Sequence, residues 1–423
     1  MSPARLWEAR VGRGFIAVLA LTNLGIWTAF FTPIQFLLPL QVEAIDPASK
    51  ESSLGLVVAA GALVALVASP LAGAFSDRTS SRLGRRRTWV LWPTLAAAAV
   101  LALMGGLTTI GGLTLGWALA QLTLNASYAA VTALLPDQVP VAQRGTVGAV
   151  VGAAQPLGVI VGSLIATLVP GDNTAPDGQR LRYLVVVVVV LLTAVLFVAR
   201  MPDPRLDRER IPAFHLGSFV RAFWVSPREH PDFAWVFVTR FLVILGTAFV
   251  TTYLLYFTRD VLGKTPDEAG DTVAAILQFY IVALLVSALV AGPLSDRIGR
   301  VKPFVIGASL VCAAAIVVLA FARTQGTATI AAAIMGAGFG AYTAVDLALI
   351  SRVLPSAGDR ARDLGIINIA NSLPQVLAPL IASIWITTLR DSGYDVAYQS
   401  LYLAAAVVTV LGAVLVVKVK GVP

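Results

Sequence analysis

Two ionisable side chains stand well inside long apolar stretches of this sequence, Arg240 in "FAWVFVTRFLVILGTAFV" and Asp346 in "AAIMGAGFGAYTAVDLALI". A charge in such surroundings is costly unless it is paired, and the opposite signs make each a candidate partner for the other. Arg240 is about seven residues into its stretch and Asp346 about six from the end of its own. If both are helices rising about 1.5 Å per residue, the two sit at similar depth, about 10 Å in. A carboxylate paired in this way can take up a proton and release the arginine, which is coupling chemistry. A permanent bridge that fixes two helices is the other reading.

A second set of residues suits binding. Gln121, Asn125 and Tyr128 fall at i, i+4 and i+7, one helical face, and Met335, Phe339, Tyr342 and Asp346 repeat that spacing. Asn23, Trp27 and Gln35 lie in the first apolar stretch, and Asn368, Asn371 and Gln375 form a stripe that reads as structural. Amides and aromatics without a dense charge cluster suit a neutral, hydroxyl-rich or amphipathic solute better than a phosphate or a dianion. They serve equally to bond helices together.

The usual signs of catalysis are missing. Cys312 is the single cysteine, and His215 and His230 share one hydrophilic segment, so the sequence offers no disulfide, no HExxH and no His/Cys ligand spacing. It has no nucleophile and base on facing segments and no Walker motif. We expect no enzyme activity, no metal and no bound cofactor, with a proton or cation gradient as the energy source.

These residues must be positioned by a membrane-embedded scaffold. With 57% hydrophobic residues, 13% charged and a mean hydropathy of +0.83, the chain has too little polar surface for a soluble globule of 423 residues. The net charge of +8 would suggest nucleic acid in a soluble protein. In a membrane protein it marks loops on one side, so no nucleic-acid partner is expected.

About 20 apolar residues cross a bilayer. That length predicts twelve helices, at 14-40, 53-75, 89-110, 112-135, 146-169, 182-200, 233-258, 271-292, 303-322, 327-350, 365-389 and 398-418. The first is too long for a signal-peptide core and has no evident cleavage site, so it reads as a retained helix. Most of the 31 Lys and Arg fall in connections on the side of the termini, which predicts both termini cytoplasmic in a plasma (inner) membrane. The predicted domains are a six-helix bundle over 1-200, a linker over 201-232 and a second bundle over 233-423. An amphipathic piece is expected around Phe214 to Trp224.

The halves look like copies. Gly73, Asp77 and Arg78 in "GAFSDR" recur as Gly292, Asp296 and Arg297 in "GPLSDR", and Arg144 and Pro156 recur as Arg362 and Pro374. One nearly constant offset for several landmarks points to internal duplication. Asp77 ends its helix, where its own dipole repels a carboxylate, so it needs a positive partner nearby. Neighbouring arginines or the start of the eleventh helix could serve, and by the repeat Asp296 would face the start of the fifth. Gly73 and Gly292 would let backbones approach, and such contacts would bias which of two states is populated. Arg85 to Arg87 read individually as topology signals.

The G-x-x-x-D-R pattern followed by Gly-Arg, once per half, resembles the signature loop of the major facilitator superfamily. The longer first loop, "SDRTSSRLGRRRTW", is similar to that of the glycoside-pentoside-hexuronide and sucrose-transporter-like branch, as are "LLPDQVPVAQRG" and "GAYTAVDLALISRVLP". The resemblance implies an all-α fold of twelve transmembrane helices in two pseudo-symmetric bundles, working by alternating access as a monomer. It implies that helices one, four, seven and ten line the cavity. Asn23, Trp27, Gln121, Asn125, Tyr128, Phe339 and Tyr342 are then candidates for substrate, and Arg240 and Asp346 for ion coupling. Gly73, Asp77, Arg78, Arg144, Gly292, Asp296, Arg297 and Arg362 are candidates for the gate.

Departures from the pattern bear on the cargo. The first helix has no carboxylate before Glu43, and Asn125 and Tyr128 stand where plant-type sucrose relatives carry an arginine, so sucrose chemistry does not carry over. Gly148, Gly152, Gly158 and Gly162 around Pro156 loosely resemble the glycine-proline motif of drug antiporters. The expectation is a symporter for a sugar, glycoside or other neutral solute, with proton-coupled efflux of amphipathic compounds as the alternative.

Overall fold

The computed structural model describes residues 10–203, 228–298, 300–353 and 360–420, without the side chains at 141, 142, 296, 347, 348, 351–353 and 360–368. The linker residues 204–227, with the expected amphipathic piece and His215, lie outside the described residues, as do the side chains of Asp296, Arg362 and Asn368.

Twelve described helices are long and apolar enough to cross a membrane. In chain order they are α1 Arg13–Ile45, α2 Lys50–Ser76, α3 Arg85–Met104, α4 Ile110–Gln138, α5 Gln143–Leu168 and α6 Arg180–Arg200 in the first half. In the second they are α7 Pro231–Thr252, α8 Pro266–Ser295, α9 Lys302–Ala320, α10 Gln325–Asp346, α11 Ile369–Ser392 and α12 Tyr394–Lys418. No strand occurs among the described residues.

Local chemistry sets several helix ends. Pro231 and Pro266 open α7 and α8, where a missing N–H costs nothing. The Thr109 hydroxyl caps α4 by accepting from the Gly112 N–H at 3.2 Å. Gly84 and Gly393, with φ of 104° and 108°, turn the chain into α3 and α12. Inside α1, Pro33–Leu37 forms a π-helical turn, since Pro33 has no N–H for the regular ladder.

The chain divides into two compact units, Met1–Lys50 with Ala60–Ala213, and Glu51–Ala59 with Phe214–Pro423. In the first unit α1 packs on α5 and α6, and α3 on α4 and α6. In the second, α7 packs on α11 and α12, and α9 on α10 and α12. Each pairing recurs six helices later, the packing counterpart of the repeated sequence landmarks. Large aliphatic side chains such as Leu103, Leu168 and Leu289 are mostly exposed, which suits a surface facing lipid.

Candidate functional site

In the first unit the candidate binding residues meet on α1 and α4. Trp27 packs edge to face against Tyr128 with ring centres 5.0 Å apart and stacks on Phe31 at 5.4 Å. On α4, the Asn125 amide donates to both Gln121 Oε1 (2.9 Å) and Gln121 O (2.8 Å). Trp27, Asn125 and Tyr128 stay partly exposed while Gln121 is buried. The result is an aromatic pair beside an amide pair.

Gly158 explains how Trp27 is placed. A Cβ there would stand 2.7 Å from Trp27 Cβ and 2.9 Å from its carbonyl carbon, so only glycine lets α5 lie this close to α1. Asn23, one turn before Trp27, is fully buried and donates to Leu19 O at 2.8 Å, while its Oδ1 is buried without a partner among the described residues.

In the second unit Arg240 of α7 and Asp346 of α10 form the ion pair that their depths suggest. Asp346 is almost wholly buried, whereas 17% of the arginine side chain is exposed. The Arg240 Nε–H also donates to Asn371 Oδ1 on α11 at 2.7 Å. One turn before Asp346, Tyr342 stacks on the partly exposed Phe339 at 5.9 Å. A guanidinium is therefore held by a carboxylate from one helix and an amide from another.

The charged loop between α2 and α3 is organised around Arg86, which is 2% exposed. Its guanidinium donates to Asp77 Oδ1 (2.6 Å), Ser76 Oγ (2.9 Å) and Asp137 Oδ2 at the end of α4 (2.6 Å). Arg85 adds a second bond to Asp137 at 2.6 Å. Asp203 accepts from the backbone N–H groups of Arg86 and Arg87 at 2.6 and 2.7 Å, capping α3 from beyond the end of α6. Burial pushes the Asp203 carboxyl above the usual carboxylate range, and those two N–H bonds and the nearby Arg85 and Arg87 partly offset the effect.

Two of the remaining gate candidates bond to nearby backbone. Arg144 donates to Val139 O and Pro136 O, closing the C-terminus of α4, and Arg78 donates to Ala74 O. Arg297 is exposed. A Cβ at Gly73 would meet no described atom within 4 Å, and at Gly292 the first neighbour is Ala344 at 3.9 Å.

Asp137, Asp203 and Glu51 have no role in the sequence reading, and Arg86 has only that of a topology signal. Glu51 is fully buried in the second unit, with Arg390 Nη1 4.0 Å away. Its signal was a lone carboxylate at the edge of an apolar run. For Arg86 the signal was weaker, since three adjacent arginines look alike until the helix turns them apart.

Residues 50–417 match the family described as MFS/sugar transport protein. The chain belongs to this family. Solved structures agree on the fold. A bacterial homologue of the human lysosomal transporter Spinster, inward-facing and unoccupied, superposes with a TM-score of 0.71 at 14% identity, over 97% of this chain and 96% of its own. The nucleoside transporter NupG gives 0.74 at 12% identity, over 96% and 98%. The human organic anion transporter MFSD10 gives 0.69 at 16%, over 96% and 99%. None of the curated proteins compared matches the sequence.

This MFS protein is thus an integral multi-pass membrane protein and a secondary transporter, and the superfamily and twelve-helix expectations are borne out. Family and fold point to a transporter rather than an enzyme. At these identities the solved structures speak for fold alone, and their cargoes remain their own.

Proposed function

We propose that this transporter carries a neutral, hydroxyl-rich solute of the sugar or glycoside class, coupled to a proton or cation gradient through Asp346 and Arg240. The observation that carries the reading is the pairing of Trp27 and Tyr128 beside the Gln121–Asn125 amide pair. An aromatic face suits the apolar face of a sugar ring, and neighbouring amides both donate to and accept from hydroxyls. The four groups carry no formal charge, which favours a neutral cargo. The family's description as sugar transport supports the same class.

The remaining parts of the reading follow from the sequence. It works as a monomer in the plasma (inner) membrane, with both termini cytoplasmic, needs no bound cofactor or metal, and draws on the ion gradient. Asp77 belongs to the gate rather than to the cargo site, and its 2.6 Å bond from Arg86 supports adding that arginine to it.

The test is a thermal-shift screen of purified protein against sugars, glycosides and amphipathic drug-like compounds, followed by flux into proteoliposomes. A sugar or glycoside should stabilise the protein and be transported, and Trp27→Ala should weaken its binding about tenfold or more. Stabilisation by amphiphiles alone, with export driven by an inward proton gradient, would replace this reading with the efflux one.

A further inference from the structure

The Arg240 guanidinium has two acceptors on two different helices. Asp346 Oδ2, on α10, forms an ion pair with its Nη1, and Asn371 Oδ1, on α11, accepts from its Nε–H at 2.7 Å. All three residues belong to the second unit. From its place in the polar stripe of α11, Asn371 reads as a helix-bonding residue. Its contact is made to the charged group itself, Nε–H of Arg240.

We propose that Asn371 is a positioning residue for coupling: it holds Arg240 when Asp346 becomes neutral, and so sets the pH at which the ion pair opens. This inference rests on the proton-coupled reading of Asp346. When a proton adds to the Asp346 carboxylate, the pair loses its negative member while Arg240 keeps its charge. A buried guanidinium with no acceptor is very costly, and a neutral amide oxygen limits that cost without competing for the proton. No covalent bond changes. The proton resides on Asp346, and Arg240, held by both α10 and α11 in the ion-paired state, stays tethered to α11 alone.

Among the described residues few other groups share the work. Facing Asp346 and Arg240 are Tyr342 on α10, whose buried hydroxyl has no partner among the described residues, and Asn371 on α11. Cys312 of α9 lies beyond Tyr342 and is buried. None of these three supplies a fixed charge, so the identity of residue 371 should weigh directly on the proton balance.

Two substitutions separate positioning from packing because they act in opposite directions. In Asn371→Asp a second carboxylate shares the guanidinium, so Asp346 holds its proton more firmly and its protonation midpoint moves to higher pH. In Asn371→Leu the ionised Asp346 is the one partner left to the guanidinium among these groups, and neutralising it would leave none, so protonation is harder and the midpoint moves to lower pH. Asn371→Ser, smaller but still an acceptor, should stay near the wild type.

The experiment is a pH titration of the protonated-carboxyl band by infrared difference spectroscopy on the full-length protein in lipid vesicles, with Asp346→Asn to assign the band. We expect about a tenfold change in proton affinity in each direction for the aspartate and leucine variants. A band that titrates in the wild type but keeps its midpoint, or moves the same way in both variants, overturns the role of Asn371. A wild-type spectrum unchanged by Asp346→Asn overturns the coupling reading itself. If one variant fails to fold, the shift or its absence in the other decides.

Discussion

Arg86 and Asp77 join at 2.6 Å across the loop between α2 and α3, and the same guanidinium reaches Asp137 at the end of α4. One nearly buried arginine thereby ties together the ends of three helices. In the sequence of the second half the residues of this tie are not repeated. Aligning Gly84 with Gly299 places Val301 opposite Arg86, and the "LLPDQ" and "VLPSA" segments place Ser356 opposite Asp137. Val301 is buried, and the Ser295 hydroxyl, counterpart of Ser76, is buried with no partner among the described residues. Arginine and its distal aspartate are both replaced at these matched positions, so the charged clasp of the first half has no counterpart in the repeated sequence.

Arg86→Met should lower the stability of the purified protein by about 1–3 kcal/mol, because Asp137 keeps Arg85 while Asp77, half exposed, falls back on water. Arg86→Lys should recover only part of the loss, since an ammonium cannot reproduce the planar fork. Thermal unfolding in detergent gives both values. Val301→Ala, which deletes only apolar volume, should act through packing and leave the pH dependence of unfolding unchanged.

Asp203 makes a prediction about pH. Its carboxyl is held above the usual range by burial, so the folded state takes up this proton before the unfolded state does. Its ionised form therefore carries a stability cost above the folded midpoint, and that cost fades as pH falls through that midpoint towards the ordinary value near about 4. Asp203→Asn removes the charge and retains an acceptor for the Arg86 and Arg87 N–H groups. It should be at least as stable as the wild type at neutral pH, with the difference shrinking on acidification. Asp203→Ala leaves two N–H groups without that acceptor and should be the less stable variant at every pH. Unfolding midpoints measured across pH check both.

Packing in the second unit makes a prediction of a different kind. At Gly336 of α10 a Cβ would collide with the Tyr280 carbonyl oxygen of α8, a backbone atom that cannot swing aside. Gly336→Ala should cost about 1–3 kcal/mol by forcing the two helices apart. Gly73→Ala should be close to neutral in the same assay, because a Cβ there meets open space. Comparing the two unfolding midpoints checks this directly.

How much of this was legible in the sequence depends on how local the signal is. Hydropathy over about 20 residues is strong, so each of the twelve helices was legible, with ends displaced where polar residues continue a helix, as in α1 beyond Leu40 and α8 before Asp271. The Arg240–Asp346 pair was legible because depth in a helix follows from counting residues. Asn371 as a second acceptor was not, since helical rotation decides whether one amide in a stripe faces a charge or a neighbouring helix. Arg86 could not be separated from Arg85 and Arg87 for the same reason. The helix contacts at Gly158 and Gly336 depend on which helices pack together, and short-range spacing carries no such information.

The central claim is that movement of solute is driven by proton uptake at Asp346, and one measurement addresses it most directly. Wild-type and Asp346→Asn proteins are reconstituted into liposomes, and accumulation of the solute found by the screen is followed with and without an imposed pH gradient. The expected result is gradient-dependent accumulation by the wild type, and for Asp346→Asn equilibration of the solute without accumulation. Accumulation by Asp346→Asn equal to that of the wild type, with the same dependence on the gradient, would contradict the claim.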